Sequence, residues 1–166
     1  MRFRFVIFVA LACGAGIVSA QDYPRPSDVE SIDAIVNAYY DVISGPAGYV
    51  YDGERDASLH APDAIITRLT AEGLGNRHDL AAEQATVPAI YDQAFFEVEI
   101  NRVVEHYGNM AHVWSTYEIR GTPDGDATAS GLNSLSLYQA EGRWWIASWS
   151  TQLVEGGDLP ERYSGK

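Results

Sequence analysis

Residues 95–120, FFEVEINRVVEHYGNMAHVWSTYEIR, decide the fold, because apolar and polar side chains alternate along them with a period of two. Val98 and Ile100 alternate with glutamates, and the alternation resumes after Gly108-Asn109, a pair typical of a tight turn. The stretch therefore predicts two antiparallel strands joined as a hairpin.

A second hairpin follows a polar loop over residues 121–130. Residues 132–140 and 143–152 show the same alternation and flank Glu141-Gly142, which has the length of a two-residue hairpin turn. The second half of the chain is thus predicted to form an antiparallel sheet.

The two turns predict which side chains share a face, because directly opposed residues of an antiparallel pair point the same way. Counting from the turns places Arg102 opposite Ser115, Ile100 opposite Tyr117 and Leu135 opposite Ser148. The predicted inward face collects Val98, Ile100, Val104, Ala111, Val113, Ile119, Leu135, Leu137 and Ile146, together with the polar or aromatic Arg102, Ser115, Tyr117, Asn133 and Trp144.

The opposite face is predicted to carry Trp114, Tyr138, Trp145 and Trp149 among glutamates and serines. Aromatic side chains clustered on an exposed face are typical of a partner surface. We therefore expect a homodimer through this face. The alternative is that the C-terminal tail folds over these rings.

The first half of the chain is helical in pattern. Ile32, Ile35, Val36, Tyr39 and Ile43 recur at helical spacing. Ser27 and Glu30 are spaced as a capping box, and this predicts where the helix begins.

A shorter helix is predicted over residues 53–60, a strand near 65–69, and another short helix within 80–91. Helices followed by a run of antiparallel strands indicate the α+β class, with the helices packed on one face of the sheet.

Residues 1–20 are typical of a cleavable secretory signal, since Arg2 and Arg4 precede an uncharged run and small residues precede Gln21. The run is shorter than the roughly 20 apolar residues of a membrane span, so we expect no stable span after cleavage between Ala20 and Gln21. The mature protein is predicted to be periplasmic or secreted. A lipoprotein attached through Cys13 is the alternative.

Cleavage would remove Cys13, the only cysteine, so the folded domain would rely on its core alone. It would also remove two arginines and no acid, making the net charge of −12 more negative still. Such a charge disfavours nucleic acid as a partner. We predict a short arm over 21–26, one domain over 27–155 and an irregular tail over 156–166.

Several segments resemble the nuclear transport factor 2-like superfamily, and within it the SnoaL-like branch of bacterial proteins. The segments are residues 58–64 (SLHAPDA), 95–97 (FFE), 108–113 (GNMAHV), 131–134 (GLNS) and 142–146 (GRWWI). The resemblance spans about Ser27 to Gln152. It implies a cone-like fold, in which a strongly bent sheet wraps around helices and leaves a pocket. Members include isomerases, dehydratases, epoxide hydrolases, cyclases and non-enzymatic binding domains, so the fold does not define the function.

His60 is the candidate general base or acid, because the resemblance places it at the pocket wall and imidazole titrates near neutral pH. Proton-abstracting members of the superfamily use an aspartate or a His–Asp pair. Asp33, Asp41 and Asp63 are the candidates on the helical half. The predicted inward strand face carries no carboxylate, so the sequence does not show a complete pair.

Arg102 on an inward face must find a carboxylate or a bound anion, since burying it unpaired is costly. Ser115, Tyr117 and Asn133 could complete such a polar patch. The alternative is an internal ion pair with Asp41 or Glu97.

The sequence predicts neither a metal site nor a bound cofactor. The four histidines are scattered, with no pair at the i, i+4 spacing of a helical zinc site, and no phosphate-binding or nucleophile motif is present.

Three functions remain open from the sequence. The leading one is an exported domain that binds a small molecule through Tyr39, Arg102, Ser115, Tyr117 and Asn133. The second is a cofactor-free isomerase, dehydratase or cyclase that uses His60 as its base. The third is a structural dimerisation module.

Overall fold

A computed structural model of the chain describes residues 22–154 and 159–165. The predicted signal segment and Cys13 lie outside the described residues. No helix among those described is long and apolar enough to cross a membrane.

Five helices lie within these residues: α1 Pro26–Val29, α2 Ile32–Val42, α3 Gly53–Leu59, α4 Leu80–Gln84 and α5 Glu161–Ser164. Helix α2 begins at a cap that the sequence interpretation missed. The Ser31 hydroxyl accepts a hydrogen bond from the Ala34 amide at 3.0 Å, whereas Ser27 lies inside α1. The predicted capping box is therefore wrong, and Ser31 is the residue that satisfies a free amide at the start of the helix.

Six strands form one sheet: β1 His60–Thr70, β2 Gly73–Asp79, β3 Phe96–Tyr107, β4 Met110–Arg120, β5 Ala127–Ala140 and β6 Arg143–Leu153. Their order is β2-β1-β6-β5-β4-β3, and every neighbouring pair is antiparallel except β1 with β6. Both predicted hairpins are present. Strand β2 is one that the sequence analysis did not predict.

A bulge in β3 changes the predicted faces. Arg102 pairs with Ser115 as expected, but Tyr117 pairs with Glu99 instead of Ile100, because the register shifts between Glu99 and Asn101. A bulge adds one unpaired residue and reverses the alternation beyond it. Ile100 is consequently exposed, and the preceding glutamates turn to the inner face.

A second bulge, between β5 and β6, relocates a tryptophan. Leu137 pairs with Ile146, but Leu135 pairs with Trp149, since the register shifts after Ser136. Trp149 is 6% exposed and belongs to the core. The prediction that Trp149 lies on the outer face is wrong because a bulge shifts the register, as it does at Ile100.

The core lies between α2 and the concave face of the sheet. Ile35, Val36 and Val42 are fully buried on α2, against Val113 and Ile146 of the sheet. Full burial of one such side chain contributes about 1.5–3 kcal/mol. The alternation predicted for β4, β5 and the first part of β6 is confirmed by these contacts.

The outer face is partly covered by the C-terminal tail. The Tyr163 ring lies 5.2 Å from that of Trp114, and the Thr116 hydroxyl donates to the Tyr163 carbonyl at 2.6 Å. The predicted irregular tail thus contains the short helix α5. Trp145 stays at the surface, stacked on Tyr138 at 6.4 Å.

Candidate functional site

A cavity of about 430 Å³ opens between α2, the concave face of the sheet and residues 80–93. Its exposed rim includes Arg68, Thr86, Pro88, Asp92 and Gln93. The interior is lined by Tyr39, Ile43, Tyr51, Asp56, His60, Leu80, Glu83, Val87, Tyr91, Phe95, Glu97, Tyr117, Asn133, Trp149 and Thr151.

His60 is held in one orientation at the junction of α3 and β1. Its Nδ1 lies 2.8 Å from the backbone oxygen of Asp56. A carbonyl oxygen only accepts, so Nδ1 carries the proton. In the neutral imidazole Nε2 then bears the lone pair, and this atom is buried without a hydrogen-bond partner among the described residues. Such an arrangement suits a base or a hydrogen-bond acceptor.

The Asp56 carboxylate lies near Nδ1 of His60. Its Oδ1 lies 3.7 Å from Nδ1 of His60, and its Oδ2 accepts hydrogen bonds from Tyr51 at 2.6 Å and from Gln84 at 2.9 Å. A carboxylate at this distance would stabilise an imidazolium once His60 takes up a proton. Asp56 was not among the predicted candidates, and the helical i, i+4 spacing to His60 is the signal that could have found it.

A chain of hydrogen bonds fixes the amide of Asn133. The ionised Glu99 carboxylate only accepts, so Ser115 donates to it, and the Tyr40 hydroxyl then donates to Ser115 at 2.6 Å. The Asn133 Nδ2 in turn donates to the Tyr40 oxygen at 3.1 Å. The amide oxygen Oδ1 of Asn133 is left buried with no partner among the described groups.

Glu97 is the pocket residue that sequence reasoning missed. The bulge in β3 turns it inward, and burial raises the pKa of its carboxyl from 4.5 to about 7, opposed by the positive charge of Arg68 and assisted by the negative charge of Glu83. Counting the alternation straight through Ile100 had placed Glu97 outside. The earlier statement that the inward strand face carries no carboxylate is therefore wrong.

An ion-pair cluster stands at the rim. Arg68 binds the Glu83 carboxylate through its guanidinium, and His78 Nε2 lies 2.6 Å from Glu83 Oε2. The Arg68 guanidinium also lies 5.6 Å from the ring centre of Trp149, whose Nε1 is buried without a described partner. The cluster joins β1, β2 and α4, and this fixes one wall of the cavity.

Four of the six predicted site residues line the cavity: Tyr39, His60, Tyr117 and Asn133. Arg102 and Ser115 do not. The Arg102 guanidinium pairs with Glu99 at 2.5 Å and Asp33 at 2.7 Å. The internal ion pair was thus the better interpretation of Arg102, although its partners are neither Asp41 nor Glu97.

The remaining aspartate candidates lie away from the cavity. Asp41 pairs with Arg55 at 2.5 Å, Asp33 pairs with Arg102, and Asp63 is exposed. Within residues 22–154 and 159–165, no group of three histidine, cysteine or acidic side chains is arranged to hold a metal ion.

Comparison with known proteins identifies the fold. Neither a model of a protein family nor a curated protein matches the chain. An uncharacterised protein with a cystatin-like fold from Caulobacter vibrioides superposes with a TM-score of 0.58 at 18% identity, over 75% of this chain and 88% of that one.

Two further solved structures agree with it. An NTF-2-like protein of unknown function from Silicibacter pomeroyi gives a TM-score of 0.51 at 16% identity, over 74% of this chain and 92% of that one. A protein of unknown function from Mycobacterium tuberculosis gives 0.56 at 19% identity, over 74% and 69%. The chain therefore has the nuclear transport factor 2-like fold, and the predicted α+β, cone-like architecture is confirmed.

Proposed function

We propose that this chain is an exported domain that binds a small molecule in the cavity between α2 and the sheet. One observation carries the proposal: His60, Asn133 and Trp149 all line the cavity, and each has a buried polar atom with no hydrogen-bond partner among the described residues. A buried polar group left unpaired costs about 1–3 kcal/mol. A ligand that supplies the missing partners would recover that cost.

The size and lining of the cavity support the same function. A volume of about 430 Å³ lies within the range of small-molecule sites, and aromatic walls with a few fixed polar groups are their usual construction.

A cavity-filling substitution tests the binding site. Val87 lines the cavity, and Val87→Trp would occupy part of its volume, whereas Val50→Trp adds the same side chain at an exposed position outside it. We would screen a chemically diverse set of small molecules by ligand-observed NMR. Binders should lose at least about tenfold in affinity for Val87→Trp, equivalent to about 1.4 kcal/mol, and keep their affinity for Val50→Trp. Equal binding to both variants would refute the assignment of the cavity.

The second candidate function is a cofactor-free isomerase, dehydratase or cyclase, whose reaction begins with removal of a proton beside a carbonyl group. The fixed tautomer of His60 favours it, because His60 lines the cavity, its Nε2 holds a lone pair, and the Asp56 carboxylate lies near Nδ1. In this step Nε2 takes the proton, and the charge of the resulting imidazolium is stabilised by Asp56.

Proton exchange tests this activity without knowledge of the substrate. Cyclic ketones in deuterium oxide would be incubated with the protein, and incorporation of deuterium measured by NMR. The native chain should accelerate exchange by about 10²–10⁴-fold relative to His60→Gln, the usual contribution of a general base. Equal rates for the two proteins would exclude His60 as the base.

A further inference from the structure

The polar atoms that remain free in the cavity are chiefly acceptors. His60 Nε2 and Asn133 Oδ1 both accept hydrogen bonds, and both belong to residues no more than 2% exposed. Trp149 Nε1 is the single donor among the buried unpartnered side-chain atoms at the cavity. The ligand that fits these atoms must therefore present hydrogen-bond donors.

Glu97 adds a carboxylate without a partner of its own. Its backbone amide is bound by Ser44, but no described side chain donates to its carboxylate. The nearest cation along the cavity, Arg68, is engaged by Glu83. A buried carboxylate without a hydrogen-bonded cation carries a desolvation cost that a bound positive charge would offset.

Most of the charged side chains that line the cavity are acidic. Asp56, Glu83, Asp92 and Glu97 line the cavity, while Arg68 is the one lysine or arginine among the described lining residues. A cavity lined by one sign of charge with low-dielectric walls concentrates ligands of the opposite sign.

Aromatic rings surround the same position. Tyr39, Tyr117 and Trp149 line the cavity together with Glu97. Trp149 lies 5.8 Å from Tyr39. Faces of aromatic rings attract organic cations, an interaction worth more when the cation is removed from water.

We infer that the ligand is a protonated organic amine with an apolar body, whose ammonium group lies against Glu97. The inference rests on the proposed small-molecule function and names the chemical class of its ligand. The apolar body would occupy the space between Tyr39, Tyr117 and Trp149.

Protonation of the Glu97 carboxyl makes this binding depend on pH. An ammonium ion binds the ionised carboxylate, so affinity should rise as the pH rises through about 7 and level off above it. The charged or titratable side chains that line the cavity with Glu97 are Asp56, His60, Arg68, Glu83 and Asp92, and the tyrosines Tyr39, Tyr51, Tyr91 and Tyr117. Variants must therefore separate the effect of His60 from that of Glu97.

Matched triads of small molecules provide the test. Each triad shares one phenylalkyl body and ends in ammonium, hydroxyl or carboxylate, and affinities are measured by calorimetry at pH 5 and pH 8. At pH 8 the ammonium member should bind at least about tenfold tighter than the hydroxyl member, as expected for a hydrogen bond to a charged group. The preference should be lost at pH 5, and the carboxylate member should bind weakest at pH 8.

Variants assign the effect to one residue. Glu97→Gln should abolish the ammonium preference and its pH dependence, while His60→Gln should keep the pH dependence. Glu105→Gln, on the same strand but exposed and outside the cavity, is the matched control and should behave as the native chain.

The outcomes separate this inference from the proposed function. If the hydroxyl or carboxylate member binds as tightly as the ammonium member at pH 8, the cavity is a binding site but the cationic ligand is refuted. If no member of any triad binds, the cationic ligand is refuted, and the proposed function is decided by the separate screen against Val87→Trp. An ammonium preference that survives Glu97→Gln overturns the assignment of Glu97. The pH series on the native chain needs no variant, so it tests the cationic ligand even if Glu97→Gln does not fold.

Discussion

Glu97 illustrates how much the state of one carboxyl depends on its surroundings. In water a glutamate is fully ionised at neutral pH, whereas the apolar and aromatic neighbours of Glu97 raise its pKa to about 7. His60 shows the complementary effect, in which a single hydrogen bond to Asp56 selects one tautomer. Both residues owe their chemistry to groups that lie close to them in the folded chain.

The free energy of unfolding should depend on the ionisation of Glu97. A carboxyl whose pKa is higher in the folded chain than in the unfolded chain destabilises the fold as the pH rises from about 4.5 to about 7, and the loss is complete above that range. Glu97→Gln removes the charge, so its free energy of unfolding at pH 8 should exceed that of the native chain by about 3 kcal/mol. At pH 4 the two proteins should be equally stable. Urea denaturation at both pH values checks this, and a variant less stable at pH 8 would contradict it.

The strands show how one inserted residue redirects an element. Ile100 is the extra residue of the β3 bulge, and because the bulge leaves it out of the pairing, Glu99 lies opposite Tyr117 and Glu97 faces the cavity. The bulge between β5 and β6 moves Trp149 inward in the same way. Both bulges also increase the local twist, which helps the sheet curl around α2.

Deletions in β3 test this account of the strand. Deletion of Ile100 makes the strand regular and leaves Glu99 opposite Tyr117. Glu97 should therefore stay in the cavity, and the free energy of unfolding should still fall between pH 5 and pH 8. Without Val98, Glu97 moves one position and should face outward, so that fall should disappear. Denaturant midpoints across pH measure both deletions, and identical pH profiles for the two would contradict this pairing register of β3.

At the scale of the whole molecule, the outer face of the sheet divides into two parts. The C-terminal tail packs on Trp114 through Tyr163. For Trp114, therefore, the alternative in which the tail folds over the ring holds. Trp145 and Tyr138 stay at the surface, and the Arg143 guanidinium lies 3.7 Å from the ring centre of Trp145. The predicted homodimer, which remains a prediction, would therefore use the Trp145 part of the face.

The solution mass of two tryptophan variants tests the homodimer. If the native chain is a dimer, Trp145→Ser should shift it toward the monomer, because a buried aromatic anchor typically contributes 2 kcal/mol or more to an interface, or about thirtyfold in affinity. Trp114→Ser, at the ring packed against the tail, should leave the mass unchanged. Light scattering across a concentration series measures both. A native monomer, or a dimer unaffected by Trp145→Ser, would rule out this interface.

The sequence by itself determined the fold class, both hairpins and the apolar stripe of α2, because these depend on local periodicity and on turns; the family resemblance added His60 at the pocket wall. It did not determine the inner and outer faces of β3 before Asn101 or of β6 after Ile146, since a bulge shifts the register without leaving a clear local pattern. Only the tertiary structure brought Glu97, Asp56, His60 and Trp149 to one cavity and paired Arg102 with Glu99. The cavity joins residues from separate elements, and the energy of burial that defines it exists only once the sheet has closed around α2.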